Sequence, residues 1–263
     1  MTELAAPSRP VDFSVGDVLS DTWTLYKRLF GRSALVAVGV VLPLHLIEQV
    51  ASHNVVAGLL AVVLALIGTT LVQGALVELV QDEHEGLPAR SLGELYASAV
   101  ERVLPLLGLS ILVGLYVGLG FLLLVVPGLI LMTRFAVAVP ALVLEDRSIR
   151  DAMRRSRELV RGHGGAIFWL FFCVGVLTGV VQLLLVFGAV LLGGGQHIPL
   201  LIFLAGLFAA ALTTPYAAHA LNAAYYRLAE PELPVLPVRA EARWESVWQA
   251  EHRLHESELE NRG

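Results

Sequence analysis

Six stretches of this 263-residue chain run almost free of charge, at roughly residues 33–51, 55–80, 103–126, 127–145, 166–192 and 199–223. Each approaches or exceeds the ~20 residues of helix that a hydrocarbon core demands. Lipid offers no partner to a backbone N–H or C=O, so runs of this kind are forced into helix. Composition agrees, with 56% hydrophobic and 16% charged residues and a mean hydropathy of +0.72, where a soluble domain has about 45–50% and about 25%. The expected fold is therefore all-α, a polytopic membrane helical bundle of six transmembrane helices arranged as hairpins.

One short phrase recurs three times. Ser14-Val15-Gly16-Asp17, Ser91-Leu92-Gly93-Glu94 and Ser148-Ile149-Arg150-Asp151 each set an acid three residues after a serine, and Gly31, Gly108 and Gly165 each stand seventeen residues after it. A serine hydroxyl that accepts the third backbone N–H, with an acid at the positive end of the helix, makes a capping box. Each copy predicts a cytoplasmic amphipathic helix before a membrane hairpin, in units of about 14–80, 91–145 and 148–223 within a domain over 14–227. Residues 1–13 read as a flexible N-terminus without the apolar core of a cleaved signal. Residues 228–263 read as a Pro-rich linker and charged tail, with Trp244, Val247, Trp248 and Leu254 at helical spacing.

Orientation follows from the eighteen Lys and Arg. None falls in the connections 52–54, 126–128 or 193–199, and all but Arg134 fall in the N-terminal segment, the other two loops or the tail. Basic residues collect on the cytoplasmic side, so both termini are expected there, in a bacterial-type inner membrane. The net charge of −5 bears little on this, because acids weigh weakly on topology. Cys173 is the one cysteine, so no intrachain disulfide is possible.

The first amphipathic stretch, Ser14 to about Phe30, sets Val18, Thr22, Leu25, Tyr26 and Leu29 near a 3.6-residue spacing. The second is weaker and is expected to run into the third membrane helix. The third is the most basic, with Arg150, Arg154, Arg155, Arg157 and Arg161 set against an apolar seam of Ile149, Met153 and Val160. Juxtamembrane cations gain about 1 kcal/mol each at an anionic leaflet, which makes these five arginines candidate contacts for anionic lipid. The competing reading is that they enforce topology and form exposed pairs such as Arg154 with Glu158. Nucleic acid is not expected on so short a patch beside a membrane.

Arg134 stands seven residues past Pro127, hence about 10 Å along a helix. Burying it costs about 2.5–3.5 kcal/mol on insertion scales, so it needs a counterpart. Glu48 is the candidate, with His45 one turn before it on the same face. Three readings stand: an Arg134–Glu48 ion pair that fixes helix register, contact of Arg134 with lipid phosphate, or a bound anion. His45 and Glu48 alone do not make a metal site. Gly114-x-x-x-Gly118, Gly175-x-x-x-Gly179 and Gly206-x-x-x-Ala210 predict close helix approaches, and Pro43, Pro140 and Pro215 predict kinks. Thr69, Thr70, Gln73, Ser110, Thr178 and Gln182 are expected to bond across helices without converging on a site, and Asp82-Glu83-His84-Glu85 to form a solvated turn.

No nucleophile elbow, zinc-protease helix, phosphate loop or Cys-x-x-Cys occurs, so neither enzymatic activity nor a cofactor is expected. The run Pro127-Gly128-Leu129 through Arg134-Phe135-Ala136-Val137-Ala138-Val139-Pro140, then Leu144-Glu145, Ser148-Ile149-Arg150-Asp151-Ala152, Arg155-Ser156 and Leu159-Val160-Arg161-Gly162 resembles a known family, and Asp21-Thr22-Trp23 through Leu29-Phe30 adds to the likeness. It is similar to the glycerophosphoryl diester phosphodiesterase membrane-domain family over about residues 14–225. Some relatives fuse this region to a cytoplasmic phosphodiesterase barrel; residues 228–263 are too few for one, so the resemblance implies a stand-alone membrane region and no activity. The expected role is to bind or organise membrane lipid or a partner protein, with the tail as the candidate contact for a cytoplasmic protein. The alternative is a transporter or lipid-translocating protein built on Arg134, Glu48 and His45.

Overall fold

A computed structural model describes residues 13–51, 54–193 and 198–229, and these form nine helices with no strand among them. In chain order they are α1 Val15–Ala51, α2 Val55–Glu85, α3 Leu92–Glu101, α4 Val103–Leu123, α5 Val125–Arg134, α6 Ala138–Leu144, α7 Ile149–Leu159, α8 Gly164–Leu192 and α9 Ile198–Ala229. Six segments are long and apolar enough to cross a membrane: α1, α2, α4, α5 joined to α6, α8 and α9. This is the all-α bundle expected of a multi-pass membrane protein. The crossings fall within one unit, Pro10–Leu228. The tail, with its tryptophans, lies outside the described residues.

The helix starts follow local chemistry. At α3 both halves of the capping box form: Glu94 N–H donates to Ser91 Oγ at 3.2 Å, and Ser91 N–H donates to Glu94 Oε2 at 2.6 Å. These bonds hold the Glu94 carboxyl below its usual range, the backbone bond contributing most. At α7, Ser148 Oγ accepts Asp151 N–H at 3.3 Å and donates to its carboxylate at 2.6 Å. Asn54 caps α2 by accepting Val56 N–H at 2.8 Å. Gly86 ends α2 at φ 65°, where a Cβ would be strained.

One expectation changes. The first amphipathic stretch is not a separate surface helix, because α1 runs unbroken for 37 residues. At 1.5 Å per residue that is about 55 Å, against a hydrocarbon core of about 30 Å. Gly31 lies inside α1 and does not stop it; a glycine ends a helix where the chain turns left-handed, as at Gly86, not by its presence alone.

Packing uses mostly glycines outside the expected close-approach motifs; of the glycines in those motifs only Gly206 of α9 meets a neighbour, an added Cβ lying 3.6 Å from the His45 ring of α1. A Cβ added at Gly114, Gly118, Gly175 or Gly179 would meet nothing within 4 Å, so these faces of α4 and α8 support no close approach. At Gly128 it would lie 2.5 Å from the Phe121 ring, and at Gly120 2.9 Å from Gly128 Cα, so α4 and α5 meet backbone to backbone. Gly68 admits Leu44 and Val40 of α1, and Gly74 admits Leu106 of α4, each to 2.7–2.9 Å of the position a Cβ would take. Around these contacts Leu29, Val36, Leu76, Leu79 and Leu95 form the buried core of α1, α2 and α3. Association in lipid rests on such packing, since tails are as apolar as the helices.

Gly128→Val should therefore lower stability by about 1–3 kcal/mol through overpacking, while Gly118→Val should not. Thermal unfolding in detergent, followed by circular dichroism, checks this; equal losses at both positions would contradict the assigned interface.

Candidate functional site

The fourth crossing breaks between α5 and α6, at residues 135–137. A break strands backbone groups that lipid cannot satisfy. Ser156 of α7, fully buried, resolves this: its hydroxyl donates to Arg134 C=O at 2.9 Å and accepts Val137 N–H at 3.3 Å. Pro140 falls in the first turn of α6, where its missing N–H removes no helical bond. α7 is thereby seated against the break, and its C-terminal arginines come to the end of α5.

There Arg134, Arg157 and Arg161 line one cleft of about 580 Å³, with Thr133, Gly164 and Gly165 beside them and Leu129, Ile130 and Phe168 as apolar walls. No acid is among its lining residues. Arg134 and Arg161 are exposed and make no side-chain hydrogen bond or ion pair among the described residues. Arg157 Nε donates to Met153 C=O at 3.3 Å, leaving the rest of its guanidinium to the cleft. α8 starts at Gly164, so the amides of Gly164 and Gly165 have no carbonyl four residues back within the helix, and the positive end of a long helix faces this side. Such an arrangement can hold an anion bearing several acceptor oxygens.

The expected cluster of Arg134 with Glu48 and His45 does not assemble. His45 Nδ1 lies 3.9 Å from Glu48 Oε2 on α1, and the His45 ring packs at 6.1 Å from Phe203 of α9. Among the described residues no hydrogen bond or ion pair joins either to Arg134. The two groups lie against different elements: Arg134, the last residue of α5, enters a cleft with α7 and the start of α8 at a helix C-terminus that favours a cation, whereas His45 packs on α9. Arg134 needs no counter-ion from α1.

The five-arginine face also divides. Arg154 pairs along its own helix, 2.8 Å from Asp151 and 3.8 Å from Glu158. Asp151 is held below the usual carboxylate range, chiefly by Ser148. Arg155 turns inward, its side chain 12% exposed, and donates to Glu145 Oε1 at 2.9 Å. Arg150 is exposed, and Arg157 and Arg161 enter the cleft.

The sequence reading missed an ionic network that ties the crossings together at one end of the bundle. Glu78 of α2, 2% exposed, accepts from Arg90 at 3.1 Å, from Arg102 at 2.8 Å and from Ser98. Asp82 is not a solvated turn residue: its side chain is 5% exposed and takes a bidentate grip from Arg90, Nε at 2.8 Å and Nη2 at 2.7 Å. That bond, more than any other influence, makes the Arg90 guanidinium hold its proton more tightly than usual. Arg32 of α1 donates to Arg90 C=O, and Arg227 of α9 pairs with Asp21 of α1 at 2.7 Å. Glu145 accepts from Tyr225 of α9 at 2.6 Å, from Arg155 and from Arg147. Glu78 was the available signal, an acid inside an apolar stretch that had to have a partner.

Arg90→Met should cost about 3–5 kcal/mol, the penalty of leaving buried acids without their cation, and adding Asp82→Leu should recover part of it. Equilibrium unfolding in detergent checks both. Burial alone would raise the Glu145 pKa, but Tyr225, Arg155 and Arg147 outweigh it and the net displacement is downward from 4.5. A carboxyl lowered by folding contributes stability that is present above its unfolded pKa and lost as pH falls through the folded value. The acid limb of wild-type stability, at about pH 5 to 3, should accordingly flatten in Glu145→Gln; an unchanged limb would contradict the pairing.

Compared with protein-family models, with curated proteins and with solved structures, the chain matches none, so the family resemblance rests on its motif residues alone.

Proposed function

We propose that this is a multi-pass protein of the cytoplasmic membrane that binds the headgroups of anionic phospholipids in the Arg134, Arg157 and Arg161 cleft and carries out no chemistry itself. One observation carries this reading: three guanidiniums share a cleft whose lining contains no acid. Like charges gathered in this way repel, and a phosphate offsets that repulsion while accepting the parallel N–H bonds a guanidinium offers. Leu129, Ile130 and Phe168 give the glycerol and the first carbons of the acyl chains an apolar wall. Arg150 and Arg154 lie on the same helix as Arg157 and add a screened attraction toward an anionic leaflet. The positive-inside tendency assigns this end of the bundle, with both termini, to the cytoplasm.

Of the motif residues behind the family resemblance, Leu129, Arg134, Val160, Arg161 and Gly162 line the cleft. Binding is preferred to translocation because the polar path required of Arg134, Glu48 and His45 is not joined. A cytoplasmic partner recruited by the tail is compatible with this role, and nucleic acid is not part of it.

The test is retention of phosphatidylglycerol against phosphatidylcholine by the purified chain, read by native mass spectrometry. Arg134→Gln/Arg157→Gln/Arg161→Gln should weaken phosphatidylglycerol binding by about 100-fold, on about 1 kcal/mol per cation, while Arg150→Gln/Arg154→Gln, outside the cleft, changes it much less. Added salt should weaken the wild type. Equal retention of both lipids, or an unaffected triple variant, would refute the reading.

A further inference from the structure

A second cavity, of about 340 Å³, lies between α2, α6, α8 and α9 and has a different chemistry. Polar side chains expected to bond separately across helices converge on it: Gln73, Thr178 and Gln182, joined by Thr213 and Asn222. None of its lining residues is charged. Asn222 is 1% exposed; its amide donates to Ala218 C=O at 3.0 Å, and its Oδ1 has no hydrogen-bond partner. A buried amide oxygen left this way costs roughly 1–3 kcal/mol. Thr178 and Thr213 spend their hydroxyl protons on Val174 C=O at 2.9 Å and Ala209 C=O at 2.8 Å, so each brings only acceptor lone pairs to the cavity. Gln73 and Gln182 are exposed and make no side-chain hydrogen bond among the described residues. Bare carboxamides facing lipid would be costly; facing this cavity they supply both donors and acceptors.

We infer that this cavity binds an uncharged polyol, as a free molecule or as a lipid headgroup. A charged ligand would enter without a counter-ion. Acceptors at Asn222, Thr178 and Thr213 call for hydroxyl donors, and the carboxamides match hydroxyls in either role. Val77 and Leu221 cover the carbon skeleton, and the volume sits at the lower end of the range that holds small ligands. The site is separate from the arginine cleft, with no lining residue in common.

The full chain in phosphatidylcholine nanodiscs is photolabelled with a photoactivatable monogalactosyl diacylglycerol, with a photoactivatable phosphatidylcholine as control. Selective labelling by the galactolipid should map to peptides covering residues 178–182 and 213–222. It should fall by about tenfold in Gln73→Leu/Gln182→Leu, whose positions carry no packing burden, as expected for the loss of one or two hydrogen bonds. Asn222→Leu should do the same in protein that keeps its helical circular dichroism. Competition by free galactose identifies a soluble polyol as the ligand; competition only by the unlabelled galactolipid identifies a headgroup. The arginine triple variant should label as wild type does, which keeps this result distinct from the outcome at the cleft. Labelling no greater than with the phosphatidylcholine probe, or unchanged in Gln73→Leu/Gln182→Leu, would overturn the inference.

Discussion

Lipid tolerates no stranded backbone group, and at the break in the fourth crossing one hydroxyl meets that demand. Ser156 bonds both Arg134 C=O and Val137 N–H, so α7 must lie against the junction of α5 and α6. Its last turn then delivers Arg157 and Arg161 to the place where α5 ends in Arg134. A helix that would read as a plain amphipathic surface element is thus held in one register by its single buried serine. The cleft is a product of that register: cations from two separate segments meet because the backbone between them needs the same oxygen.

A second constraint on the bundle is electrostatic. Glu78 and Asp82 are buried in the last two turns of α2, and the ion pairs with Arg90 and Arg102 offset the cost of burying them. Arg90 precedes α3 and Arg102 stands between α3 and α4, so this clamp fixes the α3 segment on α2. Tyr225 and Arg227 extend the ties to α9 through Glu145 and Asp21. Arginines at this end therefore divide between those held by acids of the chain, such as Arg90 and Arg155, and those left to the cleft. Counting positive charge does not separate the two groups; the location of the acids does.

Much of the fold was legible because it follows from local rules. The six crossings came from uninterrupted apolar length, and Ser91 and Ser148 marked helix starts through bonds made within four residues. What escaped was non-local. Arg134 closes α5 and enters a cleft shared with α7 and the start of α8, and that neighbourhood rests on a serine 22 residues away in sequence. Asp82 looked solvated because its partner, Arg90, lies across a turn and its burial depends on α3. Glycine pairs at a spacing of four say which helix faces could approach, whereas Gly120 and Gly128 do approach because the hairpin of α4 and α5 is tight. Gln73, Thr178, Gln182 and Asn222 belong to three different helices, and only their packing reveals that they share a cavity.

The central claim is that an anion, not a carboxylate of the chain, neutralises Arg134, Arg157 and Arg161. An experimental structure of the protein in nanodiscs containing phosphatidylglycerol tests it most directly. The account predicts a phosphate within about 2.7–3.2 Å of at least two of these guanidiniums, with its acyl chains along Ile130 and Phe168. Arginine side chains turned to water or paired with acids of the chain, with no phosphate density between α5 and α7, would contradict it.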